Sequence, residues 1–193
     1  SIFAASCARG STVAGTGCVA SGLIGKGIGV SDTVWIGIDL GTQSVRVMAA
    51  GGDGVLLATA SHPLTSTRRG VEHEQEPWDW WQATAACCRQ VMSALGKCAV
   101  NGVAVDATSG TILLADEHLN PLTPALMYDD SRARKEVEEV NSAGEDLWKE
   151  LGYKMQASWA LPKLLWLVRH HPDNRSVRLT HQNDFINSQL TGT

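Results

Sequence analysis

The chain has 193 residues, of which 44% are hydrophobic and 19% are charged, an ordinary composition for a globular protein with a hydrophobic core. Its net charge of −4, without a basic run interleaved with aromatic residues, argues against nucleic acid as a partner. The five cysteines lack a CxxC spacing and no apolar stretch reaches the roughly 20 residues of a membrane span. We therefore expect a cytoplasmic protein without a disulfide framework, a zinc site or a membrane partner.

Residues 1–33 differ in composition from the rest of the chain. The first 31 residues hold no Asp or Glu and only two basic residues, Arg9 and Lys26. Such a leader is compatible with a transit peptide, which would place the protein in a plastid or mitochondrion. A disordered or mistranslated extension is the alternative. The glycines around Lys26 match neither GxxxxGK[ST] nor GxGxxG, so they predict no phosphate loop.

From Val34 onward, short apolar runs separated by turn signals predict strands. The first three cover Val34–Ile38, Ser44–Ala50 and Val55–Ala60, with a strong turn signal at 51–54. Three adjacent strands joined by tight turns indicate an antiparallel meander.

Helices and strands alternate in the remainder of the chain. A helix is predicted from Pro77 to about Gly96, and its apolar face consists of Trp78, Trp81, Ala85, Cys88, Met92 and Leu95. Strands are predicted over 100–105 and 111–115, and helices over 131–140, 162–170 and 183–190. The order predicts an α/β fold with a mixed sheet covered by helices.

A buried strand that ends in a carboxylate, Asp39, carries the first candidate site. Because Gly41 has no side chain, the backbone can turn tightly and approach a ligand. Amide groups near Thr42, Gln43 and Ser44 can then point at phosphate oxygens. Asp39 would hold Mg²⁺ through water, since magnesium takes one or two carboxylates plus substrate phosphates. An Asx turn capped by Asp39 explains the same residues as well.

Several segments, in the same order, resemble the FGGY family of carbohydrate kinases, and xylulokinases in particular. The Asp39 segment resembles the first phosphate motif of the sugar kinase, Hsp70 and actin superfamily. Residues 74–81 are similar to the E-Q-D-P-x-x-W-W segment of the FGGY family, and residues 128–133 to its W-x-D-x-R-A segment, with Tyr128 in place of Trp. Residues 162–167 match P-K-L-L-W-L, and residues 190–192 match L-T-G.

The resemblance implies a ribonuclease H-like core and a two-domain kinase that binds sugar and ATP between its domains. Residues 34–193 would be part of the N-terminal domain. The general base, an Asp, is expected beyond Thr193, as is the ATP-binding C-terminal domain, so the chain alone is expected to be inactive. The complete protein would transfer the γ-phosphate of ATP, with Mg²⁺, to a hydroxyl of a ketose such as xylulose or ribulose.

The sugar-binding segment is the main departure from the family pattern. Xylulokinases carry G-Q-M-H-G where this chain has residues 106–110, so Thr108 and Ser109 offer hydroxyls that suit a polyol. The D-x-T-S pattern looks more like ribulokinase-type branches. Ser109 is the best candidate for a sugar contact, and a hydroxyl-rich turn that caps a strand end is the alternative.

Three further site residues follow from the resemblance. Asp130 and Arg132 are candidates for binding sugar hydroxyls, and Arg46 is a phosphate candidate because many family members have Lys there. Asp129 or Asp130 could instead cap a helix that begins near Ser131.

The tryptophans near the start of the first helix are predicted to pack in the core. Three histidines without metal-ligand spacing are predicted at the surface: His73, His170 and His171.

Two other functions compete with the kinase. One is a non-catalytic sugar-binding or regulatory module of the same fold. The other is a chaperone-type ATPase of the superfamily, against which the segments at 74–81 and 162–167 argue. The sequence leaves open which sugar is used and whether the protein is a homodimer.

Overall fold

The computed structural model describes residues 19–21, 33–171 and 177–192, so most of the predicted leader lies outside the described residues. The chain divides into two compact units. The first comprises Ser1–Leu64, Trp80–Asp106 and Ile186–Thr193, and the second comprises Thr65–Asp79 and Ala107–Phe185. Within the described part of the chain, no helix is long and apolar enough to cross a membrane.

The described residues form ten strands and five helices. The strands are β1 (Val19–Ser21), β2 (Thr33–Leu40), β3 (Ser44–Gly51), β4 (Leu56–Pro63), β5 (Thr67–Arg69), β6 (Glu72–Gln75), β7 (Ala99–Ala107), β8 (Ile112–Ala115), β9 (Ala125–Leu126) and β10 (Arg178–His181). The helices are α1 (Pro77–Leu95), α2 (Arg134–Ala143), α3 (Glu145–Leu151), α4 (Ala160–His170) and α5 (Gln182–Thr191).

The first unit contains a five-stranded sheet in the order β1-β4-β3-β2-β7. The predicted meander is confirmed, since β2, β3 and β4 pair antiparallel in succession. Alternate residues of β2 are buried, from Val34 to Leu40, because side chains of a strand point to opposite faces in turn. The register places Asp39 opposite Arg46 at the end of the first hairpin.

Strand β7 lies at the edge of this sheet. It is a nine-residue strand of mostly small and apolar residues, yet Val100 and Val103 are exposed. Gly102 lies close to the ring of Trp35, because a Cβ at this glycine would meet ring carbons at 2.6 and 2.9 Å.

Helix α1 begins at Pro77, as predicted, and ends before Gly96, whose φ of 72° suits a glycine. The predicted apolar face is partly wrong. Trp78 is 38% exposed and makes an edge-to-face contact with Phe185, whereas Trp80 is fully buried. The buried side chains instead follow one helical stripe: Trp80, Ala83, Thr84, Cys87, Cys88, Val91 and Leu95.

The second unit contains another five-stranded sheet, in the order β10-β8-β9-β6-β5, whose neighbouring strands pair antiparallel. Strand β8 is buried along its whole length. Its side chains Ile112 and Leu114 form a core cluster with Leu126 of β9 and Leu167 of α4. Helix α4 therefore rests on the sheet through apolar contacts.

The predicted helix from Ser131 instead begins at Arg134, and helix α3 was not predicted. The N-cap of α2, Ala133, makes no side-chain hydrogen bond. Capping by Asp129 or Asp130 is therefore wrong, because both carboxylates bind other partners described below. The predicted L-T-G turn does close α5, with Gly192 at a φ of 74°.

Replacing Leu114 with Ala tests the core of the second unit. We expect the free energy of unfolding to fall by about 2–5 kcal/mol, since the change leaves a cavity between sheet and helix. Leu161→Ala, at an exposed position of α4, should change it by about 0.5 kcal/mol or less. Urea denaturation measures the free energy of unfolding of both variants. Equal losses for Leu114→Ala and Leu161→Ala would contradict the packing of α4 against the sheet.

Candidate functional site

The turn after β2 is closed by the backbone and leaves the Asp39 carboxylate open to solvent. The N–H of Gly41 donates to the carbonyl of Ser44 at 3.0 Å. Arg46 Nη1 lies 3.5 Å from Asp39 Oδ2, and the Asp39 side chain is 42% exposed. Asp39 thus pairs across the hairpin with Arg46.

Gly41 is not required by backbone conformation. Its φ angle is not positive, and a Cβ there would meet only the Ser44 carbonyl oxygen, at 3.4 Å. The chain could therefore hold alanine at this position with little strain. What the glycine does provide is one position of the turn without a side chain, beside a half-buried Thr42, an exposed Gln43 and a half-buried Ser44.

The segment with Thr108 and Ser109 leads into β8. Ser109 is exposed, and its hydroxyl makes no hydrogen bond among the described residues, so it does not cap the strand. Gly110, at a φ of 79°, completes the turn. An idealised Cβ on Gly110 would lie 4.0 Å from the Cα of Tyr128 and from the carbonyl oxygen of Ser158. The structure thus brings the Ser109 segment next to the segment that contains Asp130 and Arg132.

Asp130 is fully buried and holds Arg132 in a fork. Arg132 Nη2 donates to Asp130 Oδ2 at 2.7 Å, and Arg132 Nε donates to both carboxylate oxygens at 3.0 Å. The backbone N–H groups of His73 and Arg132 also donate to the carboxylate, at 2.7 and 3.1 Å. The hydrogen bonds to this buried carboxylate described above are therefore all donated by His73 and Arg132.

Arg132 is fixed from two further sides. Its Nη1 lies 2.8 Å from Glu74 Oε1, and its guanidinium carbon lies 4.9 Å from the ring centroid of Trp166. Burial alone would lower the pKa of the guanidinium, but the hydrogen bonds and charges of Asp130 and Glu74 raise that pKa above its usual value. Arg132 therefore stays charged in a site where its side chain is only 8% exposed.

His73 is buried, so its predicted surface position is wrong. Its Nδ1 lies 2.5 Å from Asp129 Oδ1, and Arg68 Nη2 donates to Asp129 Oδ2 at 2.6 Å. Burial would raise the pKa of Asp129, but these two partners lower it below the usual range. His170, by contrast, is exposed as predicted, stacked on Trp166 with ring centroids 4.2 Å apart.

Lys163 of α4 completes the cluster, and sequence reasoning did not assign it a role. Its side chain is fully buried, and Nζ donates to the carbonyl oxygens of Gly110 and Met127 at 2.5 and 2.9 Å. Burial lowers the pKa of its ammonium to about 8, although the charges of Asp130 and Asp129 favour the protonated form. Its partners are backbone atoms, so no residue pattern could have revealed them.

The comparisons with known proteins agree with one family. The sequence model described as "FGGY family of carbohydrate kinases, N-terminal domain" matches residues 34–193. The chain belongs to the FGGY family of carbohydrate kinases. The xylulose kinases of Streptomyces rubiginosus and of Escherichia coli strain K12 are 31% and 29% identical to it, over 81% and 82% of the chain. These matches cover 33% and 34% of those proteins, so the chain spans about a third of the length of the curated relatives.

The predicted fold, shared by FGGY sugar kinases, actin and Hsp70, is confirmed by a solved structure. The xylulose kinase of Rhodospirillum rubrum superposes with a TM-score of 0.73 at 24% identity, over 79% of this chain and 33% of that one.

The FGGY motifs of the second unit meet in one cluster. Glu74 comes from the E-Q-D-P-like segment, Asp130 and Arg132 come from the W-x-D-x-R-A-like segment, and Lys163 and Trp166 come from P-K-L-L-W-L. Among the described residues, no group of three or more His, Cys, Asp or Glu could hold a metal ion. The phosphate and sugar roles of the named site residues stay predictions.

Asp130→Asn should destabilise the protein strongly. Asn is nearly isosteric with Asp but removes the charge that balances the buried guanidinium of Arg132, so we expect a loss of about 3–5 kcal/mol. Glu139→Gln is the matched control, because Glu139 and Arg169 form a two-bond pair on exposed parts of α2 and α4, where ion pairs contribute little. Chemical denaturation measures the free energy of unfolding of both variants. Similar losses for Asp130→Asn and Glu139→Gln would contradict the buried pairing of Asp130 with Arg132.

The depressed pKa of Lys163 predicts a pH dependence of stability. Lys has an unperturbed pKa of 10.5, against about 8 in the folded protein, so the unfolded chain binds more protons between these values. The free energy of unfolding should therefore rise with pH across this window, by up to about 3 kcal/mol.

Lys163→Met isolates this contribution. Burial raises the pKa of Cys88 from 9.0 to about 11, so above pH 9 this thiol acts in the opposite direction and only the difference between two proteins is informative. We expect the free energy of unfolding of Lys163→Met, relative to that of wild type, to be highest at pH 7 and to lose this excess by pH 10. For Lys149→Met, at an exposed position, the difference from wild type in free energy of unfolding should stay constant across this pH range. A constant difference for Lys163→Met would disprove the assignment.

Proposed function

We propose that the chain is the N-terminal part of a longer kinase that transfers the γ-phosphoryl group of ATP to a hydroxyl of a ketose such as a pentulose. The observation that carries this proposal is the open Asp39 carboxylate at a strand end, next to a backbone-closed turn that begins at Gly41. Membership of a carbohydrate kinase family supports it, as do the curated relatives named xylulose kinases.

The turn of the first unit would face the nucleotide phosphates. Its amide groups near Thr42, Gln43 and Ser44 would bind phosphate oxygens, and Arg46, whose side chain is 61% exposed, would add positive charge. Asp39 suits a magnesium ion held through water, because its carboxylate is accessible and only loosely paired with Arg46. Asp39 would hold the ion there, and the ion's positive charge would serve to neutralise charge on the phosphates.

The segment around Ser109 in the second unit would bind the sugar. Its exposed hydroxyl can both donate to and accept from a polyol, and Thr108 adds a second hydroxyl at a half-buried position. Asp130 and Arg132 are the other predicted sugar-binding residues. Since they are tied to each other, we propose that they act mainly by holding the wall of the sugar site.

The remaining parts of the machinery would lie outside this chain. The general base, an Asp, and the ATP-binding domain are expected beyond Thr193, so this chain alone would not turn over. The partner is a small sugar or polyol, and the oligomeric state is open. Residues 1–33 remain a candidate leader, with a plastid or mitochondrial location as the alternative to the cytoplasm.

A kinase assay on the complete protein tests the proposal. Ribulose, xylulose, glycerol and erythritol are supplied separately with ATP and Mg²⁺, and sugar-dependent ADP release is measured with and without EDTA. We expect turnover with one ketose and none with EDTA. A protein that binds sugar in calorimetry but releases no ADP would be a non-catalytic module instead.

Asp39→Asn tests the metal assignment within that assay. We expect kcat to fall by about 100-fold or more, because the charge stabilisation of the transferring phosphoryl group is lost, while the melting temperature changes little at this exposed position. Asp146→Asn, in the exposed first turn of α3, is the control and should retain wild-type kcat. Normal turnover by Asp39→Asn would refute the role of Asp39.

A further inference from the structure

Lys163 is a buried cation that the proposed reaction does not use. A fully buried ammonium is unfavourable unless it is hydrogen-bonded, because desolvation of the charge costs several kcal/mol. Its neighbours along the same helix face are apolar, since Pro162 and Leu167 of α4 are also buried. A methionine would fill this place without the desolvation, so packing alone does not explain a lysine.

The two carbonyl groups that Lys163 binds lie just outside a strand pair. Strands β8 and β9 are in register at Ile112 and Leu126. Gly110 lies two residues before Ile112, and Met127 follows Leu126 directly. Lys163 therefore connects the two chain segments at the point where the pairing between their strands ends.

Each of these segments carries residues of the proposed sugar site. The Gly110 carbonyl belongs to the turn that presents Ser109. The Met127 carbonyl accepts the N–H of Asp130 at 3.0 Å as well as the ammonium of Lys163. One side chain thus fixes the turn on one side and the start of the Asp130–Arg132 segment on the other.

We propose that Lys163 is a positioning residue for the sugar substrate, which sets the spacing between the Ser109 turn and the Asp130–Arg132 segment. This inference rests on the proposed function. Lys163 does not touch the sugar in this arrangement, because its side chain is fully buried. It acts through the two backbone carbonyls.

The test measures sugar binding separately from ATP binding in the complete protein. Lys163→Met keeps the length of the side chain but cannot donate hydrogen bonds. We expect the KM for the sugar to rise about tenfold or more, since a small displacement of the groups that position a substrate strongly weakens their action on it. The KM for ATP should stay within about twofold of wild type. Arg169→Met is the matched control, which removes an exposed cation from the same helix and should leave both KM values unchanged.

Hydrogen–deuterium exchange on the 193-residue chain gives a second measurement that does not depend on turnover. In Lys163→Met, peptides covering residues 105–111 and 126–131 should exchange faster, whereas the peptide covering α1 should be unaffected. Lys163→Gln, which retains an N–H donor, provides a second variant and should show a smaller change in both measurements.

The outcomes separate the two proposals. Absence of sugar-dependent turnover in wild type rejects the kinase function, whatever the variants do. Turnover in wild type with an unchanged sugar KM in a folded Lys163→Met variant rejects only the positioning role. If neither Lys163 variant folds, the lysine is a structural residue and the positioning role is likewise rejected.

Discussion

The buried pair of Asp130 and Arg132 is the interaction around which the second unit is organised. A buried carboxylate is tolerated only when its charge is balanced and its oxygens are hydrogen-bonded. Arg132 and the backbone N–H of His73 meet both conditions for Asp130. Glu74 and the ring of Trp166 then hold the guanidinium from other directions. Segments far apart in the chain are thereby locked into one arrangement.

This arrangement gives a physical reason for the family's sequence signature. Three segments of the second unit that resemble FGGY motifs, at 74–81, 128–133 and 162–167, are separated in sequence, yet each supplies one part of the same cluster. The network has charges of both signs, and removal of Arg132 would leave the buried carboxylate of Asp130 without the guanidinium that balances its charge. The charged groups of such a network must be retained or lost together. The side chains of an apolar core differ in this respect, because one can replace another of similar size. The Asp39 turn is of a different kind, since it is local and open to solvent.

Local patterns predicted the local features. The β2–β3–β4 meander followed from short apolar runs and the turn signal at 51–54, and the start of α1 followed from Pro77. The buried stripe of α1 was misplaced because Trp78 and Trp80 are equally apolar, and only tertiary packing decides between them. His73 was misassigned because its neighbours are polar, whereas its burial depends on Asp129 and Asp130, more than fifty residues away. The contacts of Lys163 could not be predicted from its motif, since its partners are carbonyl groups that every residue possesses.

Among the described strands, β7 lies at an edge of its sheet, and this position affects how the chain would behave when purified alone. A strand edge can pair with an extended segment that it encounters, and β7 is long and largely apolar. Two copies could add to each other's sheets at high concentration, without any complementary surface having evolved for the purpose. A dimer of the isolated chain in a sizing column would therefore say little about how many subunits the complete protein contains.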